Sequence, residues 1–184
     1  MTSHIRLATP DDGPALARIY RPAVVDRPAS FELTPPDGDE MGRRVAKRAG
    51  ILPWLVYERN GAVIGYAYAS PFRDRPAYQW SVEVSAYVSG EAHRGGVGRA
   101  LYTRIFEILV TQLYRNAYAG ITLPNPASEG FHRAMGFVDI GTYHHVGYKL
   151  GAWHDVLWLE RALLPTVIDP PAPLPLRDVI PFPY

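Results

Sequence analysis

The chain reads Trp80-Ser81-Val82-Glu83-Val84-Ser85-Ala86-Tyr87-Val88 and then, after a short link, His93-Arg94-Gly95-Gly96-Val97-Gly98-Arg99-Ala100-Leu101-Tyr102. The first run alternates. Trp80, Val82, Val84 and Ala86 fall on one side, and Ser81, Glu83, Ser85 and Tyr87 on the other, as in a half-buried strand. Glu83 therefore shares a face with Tyr87 rather than with the valines. The second run is a glycine-rich turn opening a helix, because Val97, Leu101, Ile105, Ile108, Leu109 and Leu113 recur at helical spacing. Backbone N–H groups at a helix start lack intrahelical partners, and the helix dipole adds partial positive charge there. Glycine lets such a turn close around a ligand, so a phosphate or diphosphate is its natural guest, and Arg94 and Arg99 add charge of the right sign. Taken alone, the turn fits tight strand-to-helix packing equally well. It is not a nucleoside triphosphate loop, since Gly98 is followed by Arg99-Ala100 instead of Lys-Ser/Thr. Nor is it a dinucleotide fingerprint, which belongs in an early strand–helix–strand unit with an acidic residue about twenty positions on.

Working outward, residues 117–123 read as a strand, Asn125 opens a short helix ending at Met135-Gly136, and strands follow over about 137–148 and 155–161. Upstream, Ile5 and Leu7 mark a short strand, and Asp11-Asp12 caps a helix through about Tyr20. Residues 22–36, with Pro22, Pro28, Pro35 and Pro36, read as a loop, and a charged helix over 37–49 stops at Gly50. Strands 54–58 and 62–70 meet at Asn60-Gly61, a strong hairpin signal. Pro71 ends the second, and the loop 72–78 carries Arg73 and Arg75. The expected organisation is one domain over 1–164 and a tail over 165–184. Seven of its last twenty residues are proline, which predicts an extended strap.

Composition narrows the chemistry. With 184 residues the chain suits one core, and a formal net charge of +1 gives no global pull toward nucleic acid or anionic membrane. The absence of cysteine excludes disulfides, thiolate metal sites and a cysteine nucleophile. No apolar run is long enough to cross a bilayer, and the N-terminus lacks the apolar core of a signal peptide, so a cytoplasmic location is expected. His144-His145 and His154-Asp155 lack metal-ligand spacing, so no metal is expected. Tyr143, Tyr148, Trp153 and Trp158 read as core and interface surface.

The quoted stretch resembles the acetyl-CoA-binding core of the GNAT acetyltransferases. Their signature is Gln/Arg-x-x-Gly-x-Gly/Ala; here Gly96 and Gly98 match, while His93 stands in place of Gln/Arg. Downstream, Leu123-Pro124-Asn125-Pro126-Ala127-Ser128, His132 and Gly136-Phe137 look like the second half of the same site. Gly147-Tyr148-Lys149-Leu150-Gly151-Ala152-Trp153-His154-Asp155-Val156 is similar to a signature of the phosphinothricin (methionine sulfoximine) N-acetyltransferase subfamily, and the likeness runs over about 4–163.

The resemblance implies an α/β fold: a mixed, mostly antiparallel sheet split near strands 80–88 and 116–123, with helices on both faces. It implies that pantetheine pairs with Ser85, Ala86, Tyr87 and Val88, and that the diphosphate sits on residues 93–98, that is His93, Arg94, Gly95, Gly96, Val97 and Gly98. Asn125 and Ser128 would border the same ligand, though Asn125 is also a good helix cap. Glu83 would take the proton of the attacking amine; the bland reading is a strand glutamate facing solvent. His132 would donate to sulfur or stabilise the intermediate, or be structural. Arg73 and Arg75 would hold an acceptor carboxylate or phosphinate, or merely be solvated. Phe31 would wall the acceptor cleft or belong to a satellite core. The expected acceptor is a small amino-acid-like amine. The rivals are protein N-termini, lysine or polyamines, or a non-catalytic acyl-CoA-binding module. A homodimer through the C-terminal strands is also expected, with no nucleic acid or membrane partner.

Overall fold

A computed structural model describes residues 2–92 and 95–180. Seven strands form one sheet: β1 (Ser3–Leu7), β2 (Trp54–Arg59), β3 (Ala62–Pro71), β4 (Ser81–Val88), β5 (Asn116–Thr122), β6 (Val138–Lys149) and β7 (Ala152–Ala162). Their spatial order is β1-β2-β3-β4-β5-β7-β6, and every neighbouring pair is antiparallel except β4 and β5. The helices are α1 (Gly13–Val25), α2 (Gly38–Arg48), α3 (Val97–Thr111), α4 (Pro126–Ala134) and the single turn α5 (Leu176–Val179).

Alternation along the strands gives the sheet two apolar faces. On one, Leu16, Ile19 and Val24 of α1 and Met41 and Val45 of α2 pack against Trp54, Val56 and Tyr66. On the other, Leu101, Tyr102, Ile105 and Leu109 of α3 cover Ala67, Ala69, Val82, Val84, Ala117 and Leu159, with Met135 and Phe137 after α4 completing the layer. The β2–β3 turn places Asn60 (φ 51°) and Gly61 (φ 78°) in the left-handed region, the geometry that suits Asn-Gly.

One expectation needs correction. Helix α1 does not stop near Tyr20 but runs through Pro22 to Val25, where Val24 is buried. The loop before α2 therefore begins at Asp26, four residues later than the proline count suggests. The start of α1 also meets α2 at backbone distance. A Cβ on Gly13 would overlap the Gly38 carbonyl and lie 2.9 Å from the Gly42 nitrogen.

The proline-rich tail runs irregularly from Pro165 to Pro175, bending at Ile168-Asp169 (Asp169 φ 50°), and lies against its own domain. Trp80 Nε1 donates to Pro171 O at 2.8 Å, and fully buried Gln112 donates through Nε2 to both Ile51 O and Leu174 O at 2.8 Å. Leu176 is buried in the α3-side core. The strap thus braces the end of α3 and the start of β4.

Candidate active site

Strand β4 pairs with β3 from Val82 to Val88, but with β5 only at Ser81↔Asn116, Val82↔Ala117 and Glu83↔Tyr118. Beyond Glu83 the two parallel strands part. Residues 84–87 keep β3 as their one ladder partner, and residues 119–122 keep β7. The sheet thus opens into a wedge whose vertex is Glu83. A cavity of about 630 Å³ fills it, lined by Val84, Ser85, Ala86, Tyr87 and Val88 on one side and Ala119, Gly120, Ile121 and Thr122 on the other. It reaches Arg18 and Ile19 of α1 at one face of the sheet, and Tyr102, Asn125, Ser128 and His132 at the other.

Gly90 and Glu91, just ahead of the glycine turn, line the same cavity. Gly96 caps α3 with φ 76°, a left-handed conformation in which a side chain is strained, and an added Cβ there would meet open space. Val97 is buried, and Gly98 faces the ring of Phe131, to which a Cβ would approach within 3.4 Å. Gly95 donates to Ala92 O at 3.3 Å. His93 and Arg94 lie outside the described residues.

The far wall is built by α4. Asn125 is its N-cap, accepting from Ser128 N–H at 3.2 Å through Oδ1, which leaves its two amide hydrogens for other partners. His132 is buried and held at both ring nitrogens: Nδ1 is 2.8 Å from Ser128 O, and Nε2 is 3.1 Å from the Tyr102 hydroxyl. Burial pushes its pKa down, against an opposing contribution from Ser128. Both ring nitrogens of His132 are thus engaged within the protein, with Ser128 Oγ a further neighbour of Nδ1 at 3.3 Å.

Glu83 lines neither cavity itself but stands between two. Its antiparallel partner Ser70 borders a second cavity of about 440 Å³, floored by Trp54, Tyr66 and Tyr68 and rimmed by Arg43, Arg44, Lys47 and Arg48 of α2. Trp54 and Tyr68 stack at 4.3 Å between ring centroids. Burial raises the Glu83 pKa above the ordinary carboxylate value, and the charge of Arg73 pulls it partly back. Arg73 itself is exposed, in the loop after β3, and lines neither cavity. Its guanidinium lies 4.3 Å from the centre of the Phe72 ring and 5.5 Å from that of Trp158, and donates to Phe72 O at 2.8 Å. Arg75 is exposed at the start of a 3-10 turn and lines neither cavity.

Phe31 also lines neither cavity. It docks on the β6–β7 hairpin, against Gly147, where a Cβ would overlap its ring, and 6.4 Å from His154 between ring centroids. The loop is fastened there by buried Lys149, whose Nζ donates to Ser30 O, and from Ser30 a chain continues through Tyr20 to Glu32 and Arg44. Among the described residues no group of three or more His, Asp or Glu could hold a metal ion.

A family profile described as Acetyltransferase (GNAT) domain matches residues 5–158. The chain belongs to the GNAT acetyltransferase family. It is 41% identical over 162 residues to a phosphinothricin N-acetyltransferase of Alcaligenes faecalis, covering 86% of this chain and 82% of that protein. It is 33% identical over 161 residues to an L-methionine sulfoximine/L-methionine sulfone acetyltransferase of Salmonella typhimurium, covering 86% and 94%. Among solved structures, a phosphinothricin acetyltransferase from Sinorhizobium meliloti in complex with AcCoA superposes with a TM-score of 0.83 at 38% identity, covering 88% of this chain and 89% of that one. The split sheet with helices on both faces is thus a GNAT sheet, as the signature implied.

Two features of the site go beyond the residues that the sequence marks. Tyr102 reads as part of the helix, although it lies one turn after Gly98 and so on the face of α3 that continues from the glycine turn. The aromatic floor of the second cavity reads as ordinary strand, because nothing local marks which face of β3 is left uncovered.

Proposed function

We propose that this GNAT acetyltransferase moves acetyl from acetyl-CoA to the amine of a small amino-acid-like acceptor of the phosphinothricin or methionine sulfoximine type. The observation that carries the reading is Glu83, a half-buried carboxylate of raised pKa at the vertex of the wedge, beside a cationic side chain. The residues present suit the acyl donor. Ser85, Ala86 and Tyr87 offer an edge that an amide-bearing arm can pair with, and the left-handed Gly96 shapes the α3 start for a diphosphate. Bound there, acetyl-CoA supplies the activated acyl group. Glu83 takes the proton that keeps an amine unreactive near neutral pH, where primary amines of pKa about 8–10 are largely charged. A backbone N–H of residues 85–87 polarises the thioester oxygen.

The acceptor side is basic: the charge of Arg73 acts on Glu83, and Arg43, Arg44, Lys47 and Arg48 border the second cavity, with Glu40 and Glu32 pairing only Arg43 and Arg44. That favours an anionic amino acid over a polyamine. Arg73→Ala is expected to raise the Michaelis constant for such an acceptor about tenfold, the effect of losing one charge-assisted contact, with that for acetyl-CoA unchanged. Purified protein with acetyl-CoA and a panel of amines, read by thiol release, tests the whole reading. Coenzyme binding without thiol release from any amine would favour an acyl-CoA-binding module instead.

Gly96→Val is expected to weaken acetyl-CoA binding at least tenfold, because left-handed backbone is costly for a β-branched residue by about 1–2 kcal/mol and the new side chain crowds the cradle. Titration calorimetry checks it; an unchanged dissociation constant removes Gly96 from the cradle. Exposed Val138, Ile140, Tyr143, Val146, Tyr148 and Trp153 on the β6–β7 hairpin support a homodimer through this hairpin. No helix of the described residues is long and apolar enough to cross a membrane.

A further inference from the structure

The second cavity and the wedge share β3 as a common wall. Ser70 and Tyr68 border the cavity of about 440 Å³, and in the antiparallel ladder they stand opposite Glu83 and Ser85. Residues opposite each other in such a ladder share a face of the sheet, with Cβ atoms about 4.5–5.5 Å apart. Glu83 therefore lies on the α1–α2 side, one strand from the edge of the cavity.

Away from that edge the lining changes character. The rings of Trp54, Tyr66 and Tyr68 lie within 20° of parallel, at 4.3–6.3 Å between centroids. Lys47 and Arg48 of the rim stand in the last turn of α2. Leu52 N–H donates to Arg48 O at 3.1 Å, which sets this helix end beside the start of β2, where Trp54 stands. Arg44 is paired with Glu32 and Glu40, and Arg43 with Glu40. Lys47 and Arg48 form no ion pair among the described residues.

We infer that this cavity takes the side chain of the acceptor, and that it suits amino acids with a flat aromatic side chain ending in an anionic group. This rests on the acetyl-transfer reading above and names a substrate class that reading leaves open. The length follows from the register. Trp54 stands opposite Tyr68, so it lies two strands and two residues from Glu83, about 12 Å between Cα atoms at ordinary sheet spacings. The side chain of phosphinothricin, two methylenes and a phosphinate, is too short to cross that distance from an amine held at Glu83. A phenyl ring with a para carboxylate crosses most of it, and the long side chains of Lys47 and Arg48 reach the rest. The ring then lies on the aromatic floor and the charge meets the unpaired cations. The transfer itself is unchanged. Nitrogen bonds to the acyl carbon, and the C–S bond breaks with its electron pair kept by sulfur. Of the two protons the ammonium loses, one leaves through Glu83 and the other ends on the thiol.

The test compares 4-carboxyphenylalanine, phenylalanine and phosphinothricin as acceptors, read by thiol release at saturating acetyl-CoA. Wild type is expected to favour 4-carboxyphenylalanine over phenylalanine about tenfold in kcat/KM. That ratio is expected to shrink in high salt, which screens the rim charges. Lys47→Ala combined with Arg48→Ala is expected to raise the Michaelis constant for 4-carboxyphenylalanine about tenfold, and that for phenylalanine about twofold at most. A wild-type ratio below threefold, a ratio that salt leaves unchanged, or a double variant that affects both aromatic acceptors alike would each overturn the side-chain pocket. Should the double variant fail to fold, the wild-type ratio and its salt dependence decide. A wild type that releases thiol with phosphinothricin but with neither aromatic amino acid overturns the pocket alone. Release with no amine at all overturns the acetyl-transfer reading, and the pocket with it.

Discussion

Glu83→Gln should bind acetyl-CoA as the wild type does and turn over about 10²–10⁴-fold more slowly near neutral pH, the usual range for removing a general base. Glutamine keeps the shape of the side chain and the β4 pairing on both sides, so the cradle around residues 84–98 is undisturbed. What it lacks is the basic oxygen. In the wild type, the acid limb of kcat/KM should lie above the ordinary carboxylate range, because burial raises the Glu83 pKa and Arg73 offsets only part of this. Arg73→Ala removes that offset and should move the limb further up. Stability runs the other way. A carboxyl whose folded pKa is raised favours the fold in its neutral form, fully below the unfolded pKa of about 4.3, and that benefit is lost as pH rises through the folded value. At pH 7 the ionised carboxylate is therefore a cost, and Glu83→Gln should melt above the wild type, with the gap closing toward pH 4. Melting curves and initial rates at both pH values measure the two effects. Full turnover in the variant would remove Glu83 as the base.

Gly13→Ala should be the most destabilising conservative change on the α1–α2 side. The new methyl group would overlap the Gly38 carbonyl and press on the Gly42 nitrogen, so both neighbours are backbone and no rotamer can relieve the clash. Overpacking costs about 1–3 kcal/mol, and a backbone neighbour places this site at the upper end; for a chain of this size that lowers the melting temperature by about 5–10 °C. Because α1 carries Tyr20 and α2 carries Arg44, both bordering the second cavity, acceptor affinity should fall together with stability. A melting temperature within 2 °C of wild type would show that the helices slide apart without penalty.

Much of this is legible in the sequence. Asn60-Gly61 set the β2–β3 hairpin because the turn needs two left-handed residues. The alternation over 80–88 put Glu83 on the face of Tyr87, which is where the register with Ser70 places it. The length of α1 was hidden: Pro22 reads as a breaker, yet burial of Val24 and Tyr20 holds the last turn in place. Contacts distant in sequence were hidden too. Nothing near His132 announces a hydroxyl thirty residues away on α3, and nothing near Phe31 announces a hairpin glycine flat enough to seat it. Arg73 and Arg75 look equivalent as a pair, and only folding back onto Phe72 and Trp158 distinguishes the first.

The strap along the base of the sheet bears on how tightly the wedge takes its guest. Three residue pairs hold β4 to β5, too short a seam to set the angle of opening unaided. Pro171 and Leu174, bonded to Trp80 and Gln112, stiffen the frame on which that seam sits. A slot kept to shape beforehand loses little ordering entropy when a long, flexible donor slides in. Preorganisation of the donor site is thus shared with the tail at Pro171 and Leu174.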